Sequence, residues 1–130
     1  MGYGQRTFNG NKYGAKRQTY DGYNYDSKLE AARAWELDQM LVDGEIKAWE
    51  RQFKVDLYFY NKAGDKIMYK PWKVDFRVEQ LDGTFVLEEV KGMETEDFRV
   101  KRDICSKIWI EDHLDHTLMI LKQSNIRKRF

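Results

Sequence analysis

The order of elements legible in this chain predicts an α/β fold, in the broad sense that includes α+β: helix, three strands, helix, strand. Three observations carry that expectation. A capping pattern at Ser27 opens a run of helix formers, alternating apolar residues recur in three segments joined by short turns, and a second capped helix precedes the apolar run Thr117-Leu118-Met119-Ile120-Leu121. A strand followed by a helix and another strand implies a right-handed crossover to a parallel neighbour. The sheet is therefore expected to be mixed and flanked by helices.

The size and composition suit a single core. With 130 residues, 42% hydrophobic and 35% charged, the chain can bury one core beneath a well-solvated surface. The single cysteine, Cys105, excludes an internal disulfide and fits a reducing compartment. No apolar run approaches membrane-spanning length, and the N-terminus lacks the apolar segment of a secretory signal. A soluble cytoplasmic protein is expected.

Residues 1–25 are rich in Gly, Tyr, Asn and Lys/Arg without helix or strand periodicity, and read as an N-terminal arm that is partly ordered at best. The core should then span 26–121. Ser27-Lys28-Leu29-Glu30 fits a capping box, with the helix continuing to about Val42 and ending before Gly44. Glu30, Ala34, Leu37 and Leu41 fall on one face, so Glu30 stands at the N-terminal end of the stripe that packs on the sheet. Phe53, Val55, Leu57 and Phe59 alternate with polar neighbours as a half-buried strand does.

After the turn Asn61-Lys62-Ala63-Gly64-Asp65, a second strand runs from about Lys66 to Glu79, with Pro71 marking an edge or bulge. Leu81-Asp82-Gly83 fits a three-residue hairpin loop with Gly83 left-handed. The third strand, Phe85 to Lys91, leads into a helix from Thr95 to about Asp112, whose Phe98, Lys101, Cys105 and Ile108 share a face. Residues 122–130 form a basic C-terminal tail. Trp35, Trp49, Trp72 and Trp109 read as packing residues. His113 and His116 lack the partners of a metal set and read as a solvated helix end.

A net charge of +1 hides an asymmetry. The arm carries Arg6, Lys12, Lys16 and Arg17 against Asp21, the tail carries Lys122, Arg127, Lys128 and Arg129 with no acid, and the middle is correspondingly acidic. Basic ends around an acidic centre suit a protein that holds a polyanion at its edges and a cation at its middle; solvated termini are the simpler alternative. The arm's aromatics among basic residues would offer stacking surfaces beside phosphate-binding charges.

The centre is where the chemistry concentrates. The hairpin loop pairs Gln80 with Thr84, which places Asp75 opposite Glu89, with Cβ atoms about 5 Å apart. Two carboxylates so placed repel by about 3 kcal/mol at an effective dielectric near 20. A divalent cation between them would remove that conflict. Mg²⁺ takes carboxylates, a backbone carbonyl and waters, and the carbonyl of Val90 is the candidate backbone ligand. Lys91, two residues beyond Glu89, shares its face and could stabilise a phosphate transition state. Glu45-Ile46-Lys47 repeats the Glu-x-Lys spacing at a helix end, so the short motif alone says little. A salt-bridge cluster on a solvated sheet face remains the alternative reading of the trio.

Taken with Lys12-Tyr13-Gly14-Ala15-Lys16, Tyr25-Asp26-Ser27-Lys28-Leu29-Glu30, Gly44-Glu45-Ile46, Arg51-Gln52-Phe53, Val74-Asp75-Phe76 and Glu89-Val90-Lys91-Gly92, this order of elements resembles the PD-(D/E)XK nuclease superfamily. The similarity is to a small phage-encoded branch that is like Holliday-junction resolvases, and it covers Lys12 to about Leu121. Val74 stands where the motif's name has proline, a position outside the chemistry.

The resemblance implies catalytic Glu30, Asp75, Glu89 and Lys91, with Mg²⁺ held by Asp75, Glu89, Val90 and Glu30, and Mn²⁺ as a substitute. A cap at Ser27 and a metal role remain compatible for Glu30. Lys12, Lys16, Arg17, Lys28, Gln52 and Lys101 are the candidate DNA contacts. The expected activity is metal-dependent endonucleolytic cleavage of branched DNA by a homodimer, in the host cytoplasm if phage-encoded. The alternatives are a nicking or flap-type nuclease without junction preference, and a non-cutting DNA-binding protein on the same fold.

Overall fold

The structure, a computed structural model, describes residues 16–130. Its elements run β1 (Gln18–Tyr20), β2 (Tyr23–Tyr25), α1 (Lys28–Val42), β3 (Ala48–Tyr60), β4 (Lys66–Glu79), β5 (Phe85–Val90), α2 (Glu96–Ile104) and β6 (His116–Leu121). Strands β3, β4, β5 and β6 form one mixed sheet in that order, antiparallel except for the parallel pair β5–β6. The expected mixed α and β architecture is present. Among the described residues, no helix is long and apolar enough to cross a membrane.

Local chemistry accounts for the element boundaries. The Ser27 hydroxyl accepts the Glu30 N–H at 3.1 Å, and Gly44 (φ +74°) ends the chain's run after α1. Thr95 caps α2 by accepting from the Phe98 N–H at 3.2 Å. The helix then passes through a π-helical turn, Cys105–Trp109, before a last α turn, Ile110–Asp112. The wider turn puts Trp109, rather than Ile108, with Phe98 and Cys105 among the buried residues. Between β4 and β5 the Gln80 N–H bonds the Thr84 carbonyl at 2.8 Å and Gly83 has φ +88°, which is the expected hairpin. The register of β3 against β4 shifts between Asp56 and Tyr58, beside Pro71, as its missing N–H requires.

Two cores lie on opposite sides of the sheet. One joins Ala31, Ala34 and Leu37 of α1 to Phe76, Val78, Val86 and Val90. The other joins Phe98, Cys105 and Trp109 to Val55, Leu57, Trp72, Val74 and Leu87. Arg33 of α1 reaches into the first layer and forms a two-pronged ion pair with buried Glu88, Nε to Oε1 at 2.8 Å and Nη2 to Oε2 at 2.7 Å. Glu88 thus points away from the side of Glu89, as the strand alternation predicts.

Several expectations need correction. Part of the presumed arm is folded: β1 and β2 form a hairpin over Asp21 and Gly22, both at positive φ, and Tyr25 is buried against Phe76. The hairpin Gln18–Tyr25 is therefore packed with the core. The presumed C-terminal tail is also anchored. Ile126 is buried in the α1-side core, and the Arg127 and Lys128 N–H groups donate to Glu36 at 2.6 and 3.0 Å. Leu41 is exposed, because α1 buries the stripe of Ala31, Ala34 and Leu37 and turns Met40 rather than Leu41 to the core in its last turn.

His113 and His116 are not a solvated helix end. His113 stacks on Trp109 with ring centroids 3.7 Å apart, and buried His116 accepts from Arg77 Nε at 3.2 Å. The last strand lies at the sheet edge with Met119 exposed, so it is less buried than its apolar run suggested.

Removing the Arg33 side chain would leave Glu88 charged and buried without its partner. Arg33→Ala should lower unfolding stability by about 3–5 kcal/mol in urea titrations. Replacing Arg33 with Met and Glu88 with Leu together should recover most of that loss.

Candidate metal and phosphodiester site

The site forms where the sheet comes apart. The β4–β5 ladder runs from Glu79 opposite Phe85 to Phe76 opposite Glu88 and stops there. The next register position holds Asp75 and Glu89, the pair expected from the hairpin. Beyond this point β5 stays with β6 as far as Val90 opposite Leu121. The Phe85 and Lys91 N–H groups bond carbonyls on the β6 side, so the intervening even-numbered residues turn their backbone groups toward β4. The Val90 N–H accordingly faces the gap, and Asp75 Oδ2 accepts it at 2.8 Å. The Val90 carbonyl faces the same gap.

Asp75 is unpaired on its other edge as well. Arg51 pairs with Phe76 and Phe53 with Val74, but Gln52 and Asp75 between them do not pair. Gln52 has φ +55°. A non-glycine residue in that region costs on the order of 1–3 kcal/mol and persists only where the surroundings hold it. The Asp75 N–H donates instead to Glu89 Oε1 at 3.0 Å. Each carboxylate thus holds a backbone N–H of the opposite strand with one oxygen and keeps the other for a ligand.

Glu30 arrives from α1. Its Oε2 accepts from the Ser27 hydroxyl at 3.3 Å, so cap and carboxylate are linked as the sequence suggested was possible. Burial pushes the Glu30 carboxyl up to about 8, and the charge of Asp75 adds to the effect. Burial likewise raises Asp75 well above the usual carboxylate range, with Glu89 contributing, while the Val90 N–H and Lys91 act against the rise. Glu89 is pushed up to about 7 by burial, opposed by Lys91 and Lys101 and reinforced by Glu30. Lys91 Nζ stands 4.0 Å from Glu89 Oε2 and 4.9 Å from the Phe98 ring centroid.

Glu30, Asp75, Glu89, Val90 and Lys91 therefore meet at one gap. Lys101 is near enough to act on Glu89, while its Nζ bonds Asp97 Oδ2 at 3.0 Å. Gln52 lies in the adjoining strand and is exposed. Lys16, Arg17 and Lys28 are exposed. Lys12 lies outside the described residues. The sequence offers Gln52 as a side chain approaching the site, whereas the fold shows its distinguishing feature to be the backbone conformation. An interruption of the apolar alternation between Trp49 and Phe53 is the only signal that pointed there.

Among the described residues, no three His, Cys, Asp or Glu side chains stand as a ready-made metal cage. The donor set nonetheless suits a hard cation. Asp75 Oδ1 and Glu89 Oε2 are the oxygens not holding backbone N–H groups, Glu30 adjoins them, and Mg²⁺ needs only one or two carboxylates beside waters. Three carboxyls that resist ionisation together are a further reason for a cation to be favoured there.

A family model described as "Protein of unknown function (DUF1064)" matches residues 10–125. The chain belongs to the DUF1064 family. No curated protein and no solved structure matches it. The matched span of this DUF1064 protein takes in every residue of the gap, from Glu30 to Lys91, together with the β1–β2 hairpin and the 3₁₀ turn Gln123–Asn125.

Both Glu30 and Glu89 hold protons more tightly in the fold than their ordinary value of 4.5. Above that value the folded protein binds more protons than the unfolded chain, so stability must fall as pH rises. With a chelator present, stability should decline from about pH 5 to pH 8, by a few kcal/mol in all. Glu30→Gln should flatten the upper part of that decline in thermal unfolding at stepped pH; an unchanged slope would place the Glu30 carboxyl in solvent.

Proposed function

We propose that this protein is a divalent-metal-dependent DNA endonuclease of the PD-(D/E)XK kind, acting on branched DNA in the manner of Holliday-junction resolvases. The observation that carries the reading is the meeting of Glu30, Asp75 and Glu89, from a helix and two strands, beside Lys91 at a gap in the sheet. The order α1, β3, β4, β5, α2, β6 supports it, because the superfamily resemblance asks for helix, three strands, helix and strand around that gap.

In this reading Asp75, Glu89, Glu30 and the Val90 carbonyl would hold Mg²⁺, with Mn²⁺ able to replace it. The ion when bound would activate a water and neutralise charge on the phosphate. The chain's own part is to hold and orient. The Asp75 and Val90 N–H groups fix one oxygen of each strand carboxylate, so the remaining oxygens converge without rearrangement. Lys91 supplies a fixed positive charge beside Glu89, where negative charge grows on the scissile phosphate. Glu89 is buried and Glu30 and Asp75 are half-buried, which strengthens each of these interactions relative to open water.

Branched DNA is favoured over a sequence-read duplex by the charges this chain presents. Its exposed basic residues Lys16, Arg17 and Lys28 suit phosphate contacts, which position DNA without reading its sequence. Cutting a junction symmetrically takes two sites, so the active form is a two-fold homodimer.

Asp75→Asn and Glu89→Gln keep acceptors for the two backbone N–H groups, so both variants should fold. Either one, or Lys91→Ala, should lower cleavage of a four-way junction by roughly 10²–10³-fold or more in a gel assay. Chelation should stop wild-type cleavage and Mg²⁺ or Mn²⁺ should restore it. Wild-type turnover in any of the three variants removes the site assignment. Equal cleavage of flap, linear and four-way substrates would keep the nuclease but remove the junction preference. At pH 8, adding Mg²⁺ to wild type should raise the unfolding temperature, and the increase should be lost in Glu89→Gln.

A further inference from the structure

We infer that Gln52 is a positioning residue, and that its left-handed backbone, not its amide side chain, opens the sheet at Asp75 and so assembles the acidic site. The inference rests on the metal-site reading above and adds a determinant that lies outside the ligand set.

The observations come from three independent places. First, the register of β3 against β4 is the same on both sides of Gln52: Arg51 pairs with Phe76 and Phe53 with Val74. No residue is inserted or removed, so this is not an ordinary bulge. One pair alone is missing, and it contains Asp75. Second, Gln52 has φ +55°, a value that rotates the flanking peptides away from the geometry of a strand.

Third, both strands change sides at this position. Residues two apart on a strand share a face. On β4, Phe76 and Val78 belong to the α1-side core, whereas Val74 and Trp72 belong to the α2-side core. On β3, Trp49 packs with the α1-side core, whereas Phe53, Val55 and Leu57 lie with the α2-side core. All four members of each set have the same parity. The chain therefore turns over at Gln52 and Asp75 together.

The turn-over has a direct consequence for the site. In a regular ladder the Asp75 N–H would face β3, because the Lys47 N–H bonds the Glu79 carbonyl and residues two apart point the same way. At Asp75 that partner is missing, and the N–H is taken by Glu89 Oε1 at 3.0 Å. The side chain of Asp75, set between the two faces, takes the Val90 N–H at 2.8 Å. Glu30 on the α1 side and Glu89 on the other thereby reach the same residue. With Gln52 in an extended conformation, Asp75 would return to one face and the meeting of carboxylates from both sides would be lost.

The test is a substitution series in the full-length protein, Gln52→Gly, Gln52→Asn and Gln52→Val, read by two measurements. Glycine adopts the left-handed region freely and asparagine tolerates it, whereas a β-branched residue resists it. Glycine and asparagine should keep Mn²⁺ affinity within a few-fold of wild type, glycine although it removes the side chain and asparagine although it shortens it. Valine should weaken Mn²⁺ binding by roughly tenfold or more, the range seen when a support of metal ligands is lost. In NMR spectra of labelled protein, cross-strand contacts between residues 52 and 75 should appear in valine and stay absent in glycine.

If Gln52→Gly loses Mn²⁺ binding, the amide side chain is the determinant and the inference is overturned. It is equally overturned if folded Gln52→Val binds Mn²⁺ as wild type does. Should valine fail to fold, the glycine and asparagine results decide alone. A wild type that neither binds Mn²⁺ nor cuts DNA removes the nuclease reading instead, and the NMR contacts then judge the backbone effect separately.

Discussion

Everything distinctive in this molecule depends on the unpaired position of Asp75. A strand residue at the centre of a four-stranded sheet would ordinarily exchange hydrogen bonds with a neighbour. Asp75 pairs in the ladder with neither β3 nor β5. Its backbone and side chain are satisfied instead by Glu89 and by the Val90 N–H. Buried backbone groups need partners, and where the ladder stops the two acidic side chains take the Asp75 and Val90 N–H groups. The charges that look anomalous inside apolar strands are therefore structural partners as well as candidate ligands.

The surroundings hold this opening in place. Arg33 and Glu88 clamp α1 to β5 one residue before Glu89, with the ion pair's hydrogen bonds satisfied on both sides. Glu36, itself bonded to Arg33, receives the backbone N–H groups of Arg127 and Lys128. The C-terminal segment is thus tied through two carboxylates to the strand that carries the site. On the opposite side, Asp38 accepts from the Trp49 indole and from the Tyr20 hydroxyl, which joins the β1–β2 hairpin to α1 and to the start of β3. Elements that looked peripheral from their composition brace the two strands flanking Gln52 and Glu89.

Much of the site was legible without the structure because its parts are local. The loop Leu81-Asp82-Gly83 has the left-handed glycine that a three-residue hairpin requires, and that single feature sets Asp75 against Glu89. Ser27 capping Glu30 could be read from a spacing of three. The folded hairpin of Gln18–Tyr25 was hidden by its shortness: three-residue strands show no period, and their stability comes from Tyr25 packing on Phe76 far along the chain. The two histidines misled because their environment is made by Trp109, Arg77 and Phe85, none of which their own spacing reveals.

The sequence by itself determined the elements, their order and the facing of the two strand carboxylates, since caps, turns and alternation act over a few residues. Only the tertiary structure decided where the sheet opens and which remote segments hold it. Glu30 reaches Asp75, Arg33 reaches Glu88, and Glu36 reaches Arg127 because packed layers bring remote segments together. The left-handed turn at Gln52 belongs to the same class. Its strain is unfavourable for the isolated strand and persists because cores on both faces of the sheet require the strands to turn over there.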